Sequence, residues 1–181
     1  MDRTPIYKKN LLIIISSPSG AGKTSVCRRI VNNDKKVKLS VSHTTRPPRD
    51  NELNGVDYFF ISHDTFNNKI LDKDFLEYAK VFGNYYGTSQ KKVEEILSNN
   101  FDVLFDIDWQ GATQILNSNL AKIVTIFLVP PSKEAVLERL KKRSKETGDD
   151  YNAIQRRMLE YENEMEHANE YNYIVVNDNI D

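Results

Sequence analysis

The stretch "LLIIISSPSGAGKT" (residues 11–24) constrains the fold more than any other part of the chain. Its apolar run, residues 11–15, is shorter than the roughly 7–15 residues of a signal core or the roughly 20 of a membrane helix. It reads as a strand buried on both faces. Residues 17–24 then have the spacing G-x-x-x-x-G-K-[ST] of a phosphate-binding loop, with Ser17 where the first glycine usually stands. Gly20 and Gly22 let the backbone curl so that several N–H groups face one anion, and the helix after the loop adds its dipole. Lys23 supplies a cation for the β- and γ-phosphates of a nucleoside triphosphate, Thr24 a hydroxyl for Mg²⁺, and Ser17, Pro18, Ser19 and Ala21 the remaining wall. Serine disfavours positive φ, so Ser17 fits only if that position is not left-handed. The bland alternative is a glycine-rich turn with an exposed lysine. Strand, two glycines, lysine, threonine and helix in this order weigh against it.

The rest of the chain repeats the alternation. "DVLFDID" (102–108), "IVTIFLV" (123–129) and "YIVV" (173–176) read as further strands buried on both faces, separated or flanked by helical patterns over 24–32, 91–98, 132–143 and 151–168. Pro130 and Pro131, then Ser132 as N-cap, start the third helix sharply. Such alternation implies an α/β fold of the P-loop NTPase type, a parallel sheet flanked by helices. Residues 40–86 break the pattern with short polar-aromatic strands such as "DYFFIS" and "DFLEYAKVF", which predicts a small mixed α/β insert over about 37–89. "RSKETGDD" (143–150) reads as a mobile loop.

A net charge of −1 leaves no global basic field for nucleic acid or an anionic membrane, so an anionic substrate has to be held by local cations. Cys27 is the only cysteine, which excludes an intrachain disulfide and points to a reducing cytoplasm. No targeting or membrane-spanning segment is visible, and a homo-oligomer is left open.

"DVLFDID" delivers Asp106, and then Asp108, beside the phosphate loop, where a carboxylate can hold Mg²⁺ directly or through its waters. "SVSHTTRPPRDNELNGVDYFF" (40–60) concentrates Ser42, Arg46, Arg49 and Tyr58. Two arginine forks and a tyrosine suit a phosphate monoester dianion; either arginine alone would read as part of a solvated loop. A phosphate acceptor is already a nucleophile at neutral pH, its second pKa being about 6, so no general base is needed. His43, His63 and His167 accordingly read as surface residues rather than catalysts.

The whole set resembles the guanylate kinases: "PSGAGKT", "SVSHTTRPPR", "GVDYFFIS", "FLEYAKVFGNYYGT", "LFDIDWQGA", "IFLVPPS", "ERLKKR" and "IVVND" stand in that family's order. The resemblance implies transfer of the γ-phosphoryl group of ATP to GMP with Mg²⁺, in a core over 1–36 and 90–181 with a GMP-binding insert and a closing lid over about 139–157. It would put Arg46, Arg49, Tyr58 and Tyr86 around the GMP phosphate, and Ser42, Glu77 and Thr88 at the guanine with Asp108 behind. Arg139, Arg143 and Arg157 would reach ATP and the migrating phosphoryl, with Lys23, Arg46, Arg143 and Arg157 as the catalytic set and Asn177 near the adenine. Two alternatives share parts of the pattern. Guanylate-kinase-like modules of membrane-associated scaffolds bind protein ligands and typically lack the loop lysine, which is present here. Kinases of other nucleoside monophosphates would lack Glu77 with Ser42 and Thr88.

Overall fold

The structure, a computed structural model, describes residues 10–118, 120–147 and 151–179. Strand β1 (Leu11–Ser16) lies at the middle of a five-stranded, all-parallel sheet. Its neighbours are β7 (Asp102–Asp106) and β8 (Lys122–Val129); β2 (Val37–Leu39) flanks β7 and β9 (Tyr173–Val176) flanks β8. Side chains alternate across the sheet, and both faces of its centre are covered. Leu12 and Ile14 join Val103 and Phe105 under α3 (Gln90–Ser98) and α4 (Trp109–Leu116). Ile15, Leu104 and Leu128 pack on Cys27 of α1 (Lys23–Asn33) on the other face. Because both faces of β1 meet apolar surroundings, its sequence shows an unbroken run rather than alternation.

The register carries the chemistry. Ile15 pairs with Asp106, so the carboxylate at the end of β7 stands beside the loop that leaves β1. Helices α5 (Lys133–Thr147) and α6 (Tyr151–Glu166) pack on each other through Val136, Leu140, Ile154 and Tyr161. Ser132 caps α5 as its sequence predicts, accepting the Ala135 N–H at 3.2 Å. A Cβ on Gly20 would lie 3.1 Å from Val136 and 3.2 Å from Leu140, so the loop is pressed against α5 at a point that requires glycine.

The insert forms its own four-stranded sheet in the order β4 (Phe59–Phe60), β3 (His43–Thr44), β6 (Asn84–Ser89), β5 (Phe75–Val81). The β3–β4 pair is parallel and the others antiparallel. Helix α2 (His63–Leu71) covers it, with buried Phe66 stacked between Phe75 at 4.5 Å and Tyr85 at 5.2 Å. Gln114 of α4 grips the β5 backbone twice: it accepts the Tyr78 N–H at 3.1 Å and donates to the Tyr78 carbonyl at 2.8 Å. An Arg28–Asp57 ion pair makes a second tie between α1 and the insert.

Four local expectations change. Residues 37–39 form an edge strand of the central sheet rather than the start of the insert, because their pairing with β7 outweighs a run too short to show a pattern. Strand β9 is not buried on both faces: it is an edge strand with side chains 45–62% exposed. Residues 143–147 continue α5 rather than forming a loop, and 148–150 lie outside the described residues. His43 is a core residue of the insert, 8% exposed and stacked on Phe59 at 4.8 Å, and burial lowers its pKa to about 4.

Candidate active site

In the phosphate loop, Gly20 and Gly22 have φ of 87° and 89°, the left-handed region that glycine enters without strain. Ser17 is not among the residues with positive φ, and its hydroxyl donates to the Pro18 carbonyl at 3.0 Å. A serine therefore suffices at the first position. The loop is clamped from three elements. Asn177, just past β9, donates to the Ala21 carbonyl at 2.6 Å, close enough to Gly22 that a Cβ there would lie 2.6 Å from its Nδ2. Arg139 of α5 reaches the Ala21 carbonyl at 3.4 Å and the Asn177 and Asp178 carbonyls at 3.0 and 2.9 Å. From α6, Arg157 donates to the Ser19 hydroxyl at 3.0 Å. Arg143, one turn beyond Arg139, is half-buried on α5.

Lys23 Nζ sits 2.6 Å from Asp106 Oδ1 and donates to the Ile107 carbonyl at 3.0 Å. Burial works against its charge, but the Asp106 carboxylate outweighs burial and raises the lysine pKa. The other oxygen of Asp106 accepts the Thr24 hydroxyl at 2.8 Å. Hydroxyl and carboxylate thus converge beside the loop cation. Asp108 comes next as N-cap of α4, accepting the Gly111 N–H at 3.0 Å.

Across from this group stands the insert. Tyr58 lies within electrostatic reach of Asp106 and Lys23, and burial together with the Asp106 charge raises its pKa to about 12, so it remains a neutral donor. Tyr86 meets the Tyr58 ring edge-on at 5.9 Å, and the Arg46 guanidinium lies 5.5 Å from the same ring. Arg46 and Arg49 both turn to Glu52, at 2.8 and 3.4 Å, a carboxylate that no sequence motif singles out. Partial burial would raise the Glu52 pKa, but the Arg46 fork lowers it. A signal exists in the spacing: Glu52 follows Arg49 by three residues, within reach of a turn.

Deeper in the insert, Ser42 and Thr88 hydroxyls lie 3.2 Å apart, and Glu77 pairs in register with Thr88. Glu77 is 3% exposed rather than solvated, and its Oε1 has no hydrogen-bond partner. Burial pushes its pKa up to about 7, against the Thr88 hydroxyl and helped by the Asp108 charge. A Cβ on Gly111 would lie 2.5 Å from Glu77 Oε2, so the carboxylate depends on a glycine in α4 for its space. That open oxygen can accept a donor from outside the chain.

Residues 9–181 match the family model of guanylate kinase. The chain belongs to the guanylate kinase family. It is 46% identical over 176 residues to the guanylate kinase of Rickettsia felis, covering 97% of this chain and 90% of that one. Against the guanylate kinase of Alkalilimnicola ehrlichii it is 46% identical over 170 residues, covering 94% and 82%. Among solved structures, guanylate kinase from Anaplasma phagocytophilum superimposes with a TM-score of 0.76 at 30% identity, covering 94% of this chain and 78% of that chain. The P-loop architecture expected from the sequence is the architecture of this family. No helix among the described residues of this guanylate kinase family member is long and apolar enough to cross a membrane.

Proposed function

We propose that the space between the phosphate loop and the insert is where this chain, an ATP:GMP phosphotransferase, moves the γ-phosphoryl group of ATP to GMP. The observation that carries this reading is the pairing of Lys23 with Asp106 at 2.6 Å, opposite an insert whose Tyr58 feels both charges. Residues 17–24, with Arg139 and Asn177, hold ATP. Arg46, Arg49, Tyr58 and Tyr86 hold the GMP phosphate once it replaces Glu52 on the arginine forks. Ser42, Glu77 and Thr88 read the guanine, with Asp108 behind them. The insert and a lid of α5 and α6 close around both nucleotides.

An acceptor oxygen of the GMP phosphate attacks the γ-phosphorus while the bond from that phosphorus to the β,γ-bridging oxygen breaks, giving GDP and ADP. The acceptor is largely a dianion at neutral pH, so no proton has to be removed. Catalysis is then positioning and charge neutralisation. Lys23, Arg46, Arg143 and Arg157 offset the repulsion between two phosphate groups. Thr24 and Asp106 offer a hydroxyl and a carboxylate 2.8 Å apart, both hard oxygen ligands, which suits Mg²⁺ arriving with the triphosphate. Bound there, Mg²⁺ would neutralise charge on the β- and γ-phosphates. Release of ADP measured with GMP, AMP, CMP and UMP as acceptors tests the reading: turnover with GMP alone is expected, and equal turnover with AMP would overturn it.

A further inference from the structure

We propose that Glu164 is a positioning residue for phosphoryl transfer, one that seats α6, and with it Arg157, in register on the phosphate loop. Ser19 is held from both its ends by this one helix. Its backbone N–H donates to Glu164 Oε2 at 3.0 Å, and its hydroxyl accepts from Arg157 Nη1 at 3.0 Å. The two α6 residues are seven apart, two turns along one helical face. The Arg157 guanidinium also lies 5.0 Å from the Phe82 ring at the β5–β6 turn, so the same helix face reaches the insert. Glu164 lines the cleft of about 310 Å³ between that turn, the start of α4 and α6.

A carboxylate is an expensive choice here. Glu164 faces the charges of Asp108 and Glu160 as well as that of Lys23, and burial raises its pKa against the Ser19 N–H and Lys23. Adhesion alone does not need it, because α6 already packs on α5 through Ile154 and Tyr161. What the hydrogen bond from the Ser19 N–H adds is direction: it fixes which rung of α6 meets Ser19, and therefore where the Arg157 guanidinium points. Misplacing such a group by an ångström costs rate rather than binding. The inference rests on residues 17–24 being the donor site.

Steady-state kinetics on Glu164→Ala, Glu164→Gln, Arg157→Ala and the Glu164→Ala/Arg157→Ala double variant test it. Glu164→Ala is expected to lower kcat about tenfold or more with the KM for GMP nearly unchanged. Glu164→Gln should recover most of the loss, because its amide oxygen still accepts the Ser19 N–H. In the Arg157→Ala background, Glu164→Ala should cost less than about twofold, since the group it positions is gone. An equal cost with and without Arg157, or a Gln variant no better than Ala, would overturn the proposal in favour of a merely structural contact. If Glu164→Ala loses its melting transition, Glu164→Asp and Glu164→Gln carry the same cycle: Asp, one methylene short, is expected to behave as the loss and Gln as the rescue. Failure of the donor-site reading shows separately, as a Lys23→Met chain whose turnover stays near that of wild type.

Discussion

Replacing Glu77 by Gln should make the nucleotide-free protein more stable than wild type above neutral pH. The Glu77 carboxyl is 3% exposed and has one oxygen without a partner. Burial raises its pKa from the ordinary 4.5 to about 7. Below pH 4.5 the group is protonated in both folded and unfolded chains, and its ionisation costs nothing. As pH rises, the folded protein keeps a proton that the unfolded chain releases, so stability falls until the folded pKa is passed. A rise from 4.5 to about 7 corresponds to a loss of about 3 kcal/mol. Gln has the same shape and no charge at any pH. The stability gap between variant and wild type should therefore open between pH 4.5 and 7 and stay constant above it. For a chain of this size the full gap is roughly 6–12 °C in Tm. His43, whose pKa is lowered to about 4, loses stability for the fold in acid, but it does so in both proteins and cancels in the difference. Thermal unfolding without nucleotide at pH 5 and pH 8 measures the gap. Parallel stability profiles, with the same difference at both pH values, would refute the burial argument.

Three further outcomes concern the loop and the lid. Ser17→Gly should leave ATP affinity nearly unchanged, whereas Gly22→Ala should weaken it. The alanine would be held at φ 89° with its Cβ 2.6 Å from Asn177, a left-handed strain of about 1–2 kcal/mol before the clash is counted; calorimetric titration of ATP separates the two. Lys23→Met should keep its fold and lose about 3–4 kcal/mol of transition-state stabilisation, two to three decades in kcat. Arg143→Ala and Arg157→Ala should each lower kcat more than they raise the KM for GMP, and a change in KM alone would assign them to the acceptor instead.

Much of this architecture is legible in the chain because a few residues over-determine it. Five apolar residues and then "SSPSGAGKT" allow strand, loop and helix and little else, and the structure has β1, the loop and α1 there. Pro130, Pro131 and Ser132 mark the start of α5 by chemistry that acts within one turn. The readings that failed depended on neighbours. "YIVV" has the composition of a central strand, yet its exposure is decided by its place at the sheet edge. His43 looks like a surface residue in the sequence because nothing local reveals that Phe59 and Phe75 enclose it. Carboxylates fare worst. Glu52 and Glu164 sit among many acidic residues; Glu52 has only its three-residue spacing from Arg49 as a signal, and Glu164 is distinguished by a partner 145 positions away. Local pattern cannot show that.

The ratio of kcat/KM for GMP to that for AMP, in wild type and in Glu77→Gln, tests the central claim most directly. Guanine presents N1–H and a 2-amino group side by side, two donors that one carboxylate accepts together, while its O6 and N7 suit hydroxyl donors such as Ser42 and Thr88. Adenine turns N1 into an acceptor that faces the carboxylate and leaves a buried charge unpaired. Sites of this kind discriminate by ~10⁴ or more. The account predicts a ratio of that order in wild type and its collapse in Glu77→Gln. A wild type that phosphorylates both nucleotides comparably, or a variant that keeps the wild-type ratio, would contradict it.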